Sequence, residues 1–124
     1  MRSSRPVNLD LFAFAFPITA VVSIIHRITG VALFFGLPLL LWLLDASLTS
    51  STGFNLVGDL LALPLGRLLL WVYLVALLFH LVAGVKHLCM DLGFFETKES
   101  APIASKVVIA VALVLIALTG VWLW

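Results

Sequence analysis

Uncharged apolar runs alternate with short polar stretches three times along the chain, at residues 28–44, 68–85 and 107–124. Each run is long enough to form a membrane-spanning helix, because about 20 residues rising roughly 1.5 Å each cross the ~30 Å of lipid tails. The pattern therefore predicts an all-α integral membrane protein, a single membrane domain over residues 1–124 with three transmembrane helices in an up-down-up bundle. Helix 1 is expected from about residue 17 to 44, because Pro17 suits a first-turn position, and Pro38 inside it would bend it as membrane helices tolerate. Helix 2 is expected from about 63 to 90, ending before Asp91 and Gly93, and helix 3 from about 106 to 124. Between them, the Ser-, Thr-, Gly- and Asn-containing stretch 45–59 reads as a turn-rich loop and 91–105 as a second polar loop with Pro102 near its end. Residues 1–16 read as an arm outside the lipid, at least over the polar MRSSRPVNLD segment.

Composition agrees with this picture: 64% of the residues are hydrophobic and 10% charged, against about 25% charged in an ordinary soluble domain. Net charge is +1 with the basic residues scattered, which leaves no patch for nucleic acid. A single cysteine, Cys89, excludes an internal disulfide and a cysteine-ligated cluster within this chain, and reads as a small apolar side chain. The first apolar stretch is long, is interrupted by His26 and Arg27, and lacks a small-x-small cleavage site, so helix 1 is read as uncleaved. Arg2 and Arg5 in the arm and Lys86, Lys98 and Lys106 around the second loop, against no basic residue in 45–59, place the N-terminus in the cytoplasm and the C-terminus outside. Trp42, Trp71, Trp122 and Trp124 all fall toward the outer interface, where indole rings prefer to sit.

Candidate chemistry centres on His80, an imidazole inside the uncharged run 68–85. An ionisable group at that depth faces a bundle interior or a cofactor and is a functional site by default; the plainer alternative is a histidine bonded to a neighbouring helix. Gly84 lies one turn later and His87 two turns later, so the three share a face, and a small residue beside an imidazole lets something flat approach. If Trp42 and Trp71 mark one level, His80 lies about 13 Å below it, His87 about 24 Å and Arg27 roughly 22 Å. His26, Arg27 and His87 then share a depth near the cytoplasmic boundary, with His80 about 9 Å further in. That arrangement suits an elongated amphiphile with a polar end and a metal-bearing core, such as haem with its propionates. Ser23, His26 and Arg27 form a second constellation on one face of helix 1. A hydroxyl and a guanidinium at the mouth of an apolar bundle can hold carbonyl oxygens; alternatively Arg27 snorkels to phosphates and Ser23 bonds its own backbone.

The segments RPVNLDL (5–11), PITAVVSIIHRITG (17–30) and HLVAGVKHLCMDLG (80–93) closely resemble the cytochrome b membrane-anchor subunit of bacterial and mitochondrial succinate dehydrogenase. The paired signatures S-x-x-H-R and H-x-x-x-G-x-x-H are specific in combination, and the resemblance covers nearly the whole chain. It implies pairing with a second three-helix anchor subunit to hold a flavoprotein and an iron–sulfur protein on the cytoplasmic face of the bacterial inner membrane. It also implies haem b shared with that second anchor, with His80 as the axial ligand from this chain, and His26, His87 and Arg27 near the propionates. Ser23 and Arg27 fall on the family's ubiquinone-site serine and arginine. The chain would be one part of a succinate:quinone oxidoreductase rather than an enzyme alone. Two other readings are the anchor of a related quinol:fumarate reductase, which runs the chemistry in reverse, and a haem-free structural adaptor.

Overall fold

The computed structural model describes residues 15–124; most of the N-terminal arm, including Arg2, Arg5 and the RPVNLDL segment, lies outside the described residues. The described residues form four helices, α1 (Ile18–Thr49), α2 (Ser51–Ala62), α3 (Pro64–Asp91) and α4 (Ser100–Leu123). Three of them, α1, α3 and α4, are long and apolar enough to cross a membrane, whereas the 12 residues of α2 reach only about 18 Å. Glycine contacts show the direction of packing. Gly30 of α1 sits against His80 of α3 and Gly36 against Tyr73, so α1 and α3 run antiparallel; Gly120 of α4 sits against Trp71 of α3, and α4 returns antiparallel to α3. The spans therefore run up, down and up.

The stretch 45–59, expected to be a loop, is helical instead: α1 continues to Thr49, five residues beyond the expected end at Leu44, and α2 occupies the rest. The reason is capping. Ser50 is extended, and its side chain accepts the Gly53 N–H at 3.0 Å, so polar residues that resemble turn punctuation break and restart a helix here. A side chain at Gly53 would run into the Ala46 carbonyl, so only glycine lets α2 fold back so closely onto the end of α1. Helix α4 also starts earlier than expected, at Ser100 rather than near 106. Thr97 Oγ1 accepts from the Ser100 N–H at 3.0 Å and Ser100 Oγ from the Thr97 N–H at 3.2 Å, a reciprocal cap. Pro102 then falls in the first turn, where no amide donor is needed. At the other loop boundary Gly93, at φ +86°, ends α3: its N–H donates to Met90 O and that of Phe94 to Cys89 O, both at 2.9 Å.

Among the described residues five apolar side chains are buried, Val22 of α1, Phe79 and Ala83 of α3, and Val108 and Ala112 of α4, where the three spans meet. The large apolar residues point outward, with Phe34 and Phe35 each 74% exposed. Such a surface is at no disadvantage in hydrocarbon, where helix association rests on close packing of small residues rather than on removing apolar area from water. Lys86, counted with the second loop in the sequence, belongs to α3 and is 6% exposed against α4. Its aliphatic stem covers apolar surface there, as long cationic side chains do near helix ends. Of the described basic residues, Arg27, Lys86, Lys98 and Lys106 lie toward the end where α1 and α4 begin, and Arg67 toward the other.

Gly36 supports the α1–α3 contact, because a Cβ there would collide with the Tyr73 ring, whose hydroxyl donates to Leu33 O at 3.3 Å. Gly36→Leu should destabilise the detergent-solubilised protein by about 1–3 kcal/mol, the usual range for overpacking. Much of that loss should disappear in a Tyr73→Ala background. Equal losses in both backgrounds, measured by thermal unfolding, would mean that the two positions do not meet.

Candidate functional site

Around His80, the contact between α1 and α3 is built from His26, Thr29 and Gly30 within the α1 segment His26-Arg27-Ile28-Thr29-Gly30, and from His80, Gly84 and His87 of α3. The helical repeat explains the division: residues three and four apart share a face, so His26, Thr29 and Gly30 turn toward α3 while Ile28, 61% exposed, turns away. His80 Nδ1 lies 3.0 Å from the main-chain oxygen of His26 and 3.2 Å from Thr29 Oγ1. A carbonyl oxygen only accepts, so Nδ1 carries the hydrogen and the Nε2 lone pair remains. His87 does the same within its own helix, its Nδ1 donating to Ala83 O at 2.7 Å.

The three imidazoles form one stack. The His26 ring lies over that of His80 with centroids 4.0 Å apart and 14° between planes, and next to that of His87 at 4.8 Å and 20°. His26 is thus placed between His80 and His87 along α3, rather than level with His87 as the tryptophan markers suggested. Those markers are not level themselves: the antiparallel register set by Gly30 against His80 and Gly36 against Tyr73 brings Trp42 beside the start of α3, so that Trp71 lies deeper along α3 than Trp42 reaches. Gly84 does admit a flat group, and that group is the His26 ring, whose Nε2 lies 3.5 Å from where a Gly84 Cβ would be. This Nε2 is buried and has no hydrogen-bond partner among the described residues. A buried imidazole nitrogen without a partner is costly and calls for one.

Ser23 is half-buried one turn before Arg27, and Arg27 is exposed. The Ser23 hydroxyl makes no hydrogen bond among the described residues, unlike Thr29, Ser105 and Thr119, which all donate back to their own helix. Arg27 makes no ion pair among the described residues. Both side chains are on α1, within one turn of His26, and neither makes a hydrogen bond to the stack. Two residues of this contact carried no sequence signal of their own, Thr29 and Gly30. Their signal was positional, since the same i, i+3, i+4 spacing that grouped Ser23 with His26 and Arg27 groups His26 with Thr29 and Gly30.

Comparison with known proteins bears on what such a site serves. Residues 1–119 match the family described as succinate dehydrogenase/fumarate reductase transmembrane subunit. The chain belongs to this family. Within it, the succinate dehydrogenase cytochrome b556 subunit of Coxiella burnetii (strain RSA 493 / Nine Mile phase I) is 45% identical over 126 residues, covering 100% of both chains. The protein of the same name from Paracoccus denitrificans is 37% identical over 118 residues, 95% of this chain and 91% of its own. That of Rickettsia felis (strain ATCC VR-1525 / URRWXCal2) is 30% identical over 92 residues, 74% of this chain and 71% of its own. Membership in a transmembrane family and three spanning helices together make this a multi-pass membrane subunit.

Proposed function

We propose that this chain is the haem b-binding anchor of succinate dehydrogenase, which with a second three-helix anchor holds the flavoprotein and iron–sulfur subunits at the membrane. It also forms part of the site at which ubiquinone takes up electrons derived from succinate. The observation that supports this most directly is the His80 ring, whose Nδ1 is engaged by a carbonyl at 3.0 Å so that Nε2 keeps its lone pair, inside a membrane-spanning helix. The names of the relatives, all cytochrome b556 subunits of succinate dehydrogenase, favour succinate oxidation over the fumarate-reducing alternative and a haem protein over a bare adaptor.

The residues present fit a haem. His80 offers a neutral imidazole nitrogen of the kind that ligates haem iron and would hold the group from this chain. His26, with its buried unpartnered Nε2, suits a propionate as its missing partner, and His87 and Arg27 stand on the same side. When bound, the haem supplies a one-electron carrier within the lipid-embedded part of the complex. For the quinone, the Ser23 hydroxyl donates to a carbonyl oxygen and fixes the orientation of the ring. Arg27 stabilises the negative charge that develops on that oxygen during reduction. The basic residues favour the bacterial inner membrane with the N-terminus cytoplasmic and the C-terminus periplasmic: of the five described, Arg27, Lys86, Lys98 and Lys106 lie toward one end of the bundle and Arg67 toward the other.

A reporter fused after Trp124 should be exposed to the periplasm and one inserted at Thr97 should not; the reverse pattern would invert this orientation. His80→Ala should abolish or change the low-spin haem b spectrum of the assembled complex, while His87→Ala shifts it mildly. Loss of haem from His87→Ala with His80→Ala unaffected would move the ligand to His87. Ser23→Ala and Arg27→Leu should each lower quinone reduction on the order of 10 to 1000-fold, if both contacts tighten in the transition state. Succinate oxidation by an artificial acceptor that takes electrons upstream should survive. A parallel fall in both activities would assign the two residues to assembly.

A further inference from the structure

The Thr29 hydroxyl lies 3.2 Å from His80 Nδ1, the nitrogen whose protonation decides whether Nε2 of His80 can bind a metal. The hydroxyl hydrogen is already committed to the backbone, since Oγ1 is 2.9 Å from both Ile25 O and His26 O. Toward His80 the oxygen can therefore only accept. His80 Nδ1 thus faces two acceptors, the His26 carbonyl and Thr29 Oγ1, and no donor among the described residues. Two acceptors around one ring nitrogen exclude the tautomer with its hydrogen on Nε2, because that tautomer would point a lone pair at both.

The rest of the ring is held from the same five-residue segment. The His26 imidazole covers one face at 4.0 Å, and the missing side chain of Gly30 leaves the space for the edge, since a Cβ there would be 2.9 Å from Cε1. From these contacts we infer that Thr29, together with the His26 carbonyl, positions His80 as the haem ligand, fixing the Nδ1–H tautomer and raising the basicity of Nε2. Thr29 is a positioning residue that reaches the iron only through the imidazole. The inference rests on the proposal that His80 is the axial ligand. Hydrogen bonds from a ligating histidine to outer acceptors set ring orientation and donor strength, and their loss commonly costs 10–100-fold in metal affinity. A more basic imidazole stabilises the ferric over the ferrous state, so this pair lowers the reduction potential of the haem.

The test uses the assembled complex carrying Thr29→Val, which keeps the shape and removes the acceptor, and Thr29→Ser, which keeps the hydroxyl. Assembly is scored by succinate oxidation with an upstream acceptor. The readouts are haem content per complex, midpoint potential by spectroelectrochemical titration, and the g values of the low-spin ferric signal. Thr29→Val should show a higher potential and shifted g values, with up to 10–100-fold faster loss of haem to a haem-scavenging protein. Thr29→Ser should match the wild type in all three. Gly30→Ala, which forces the ring aside, should lose haem more readily than Gly84→Ala, where the added Cβ meets His26 at an ordinary 3.5 Å. Unchanged potential and g values in Thr29→Val would overturn the inference, as would Thr29→Ser behaving like Thr29→Val. Should Thr29→Val not assemble, Thr29→Ala removes the same acceptor without bulk, and failure of both assigns Thr29 to helix packing and overturns it too. Retention of the wild-type haem spectrum in His80→Ala would instead defeat the ligand assignment itself, whatever Thr29 does.

Discussion

The hydrogen bond from His80 Nδ1 to the His26 carbonyl is the constraint on which the arrangement of this bundle turns. It crosses between two antiparallel spans in a setting where water cannot compete, and it leaves one imidazole nitrogen uncommitted. The bond can form only if the α1 and α3 backbones approach closely, and Gly30 and Gly36 provide that approach by leaving room for the His80 and Tyr73 rings. Once the two helices are at that distance, His26 has nowhere to go except onto the face of His80. Gly84 accommodates its far edge.

The consequence is an unusual division of labour along one short segment. His26 contributes its backbone oxygen, its ring face and a buried nitrogen without a partner, while Thr29 and Gly30 shape the space around His80. Arg27, between them in sequence, points elsewhere and stays exposed. A five-residue stretch of one helix thereby presents two faces, one to the imidazole stack and one that carries Arg27, with Ser23 one turn earlier. The helical repeat makes that possible, because residues one apart lie about 100° around the axis and belong to different faces.

The small buried core fits the same view. With five apolar side chains enclosed among the described residues, a protein in water would be marginal, but in a membrane helix-paired backbone groups and outward-facing leucines and phenylalanines carry no such cost. Helix α2, too short to span, closes the connection between the antiparallel spans α1 and α3 and walls a cleft beside Trp42 and Tyr73.

Much of this was legible in the residues themselves. Run length alone determined that there are three spans, since hydrocarbon thickness sets the number of residues needed, and the histidine inside an uncharged run is the α3 residue that bonds to α1. The signatures around Ser23, His26, Arg27, His80 and His87 sufficed to identify the family. What sequence could not decide was anything that depends on the offset between two helices. Ser50 capping turned an expected loop into α2, and the true level of Trp42 against α3 moved His26 from beside His87 to between His87 and His80. Spacing along one helix is a property of the backbone repeat and can be counted, whereas the register between helices is set by which glycine receives which ring. Only the packed structure brings Gly30, Thr29 and His80 to one point.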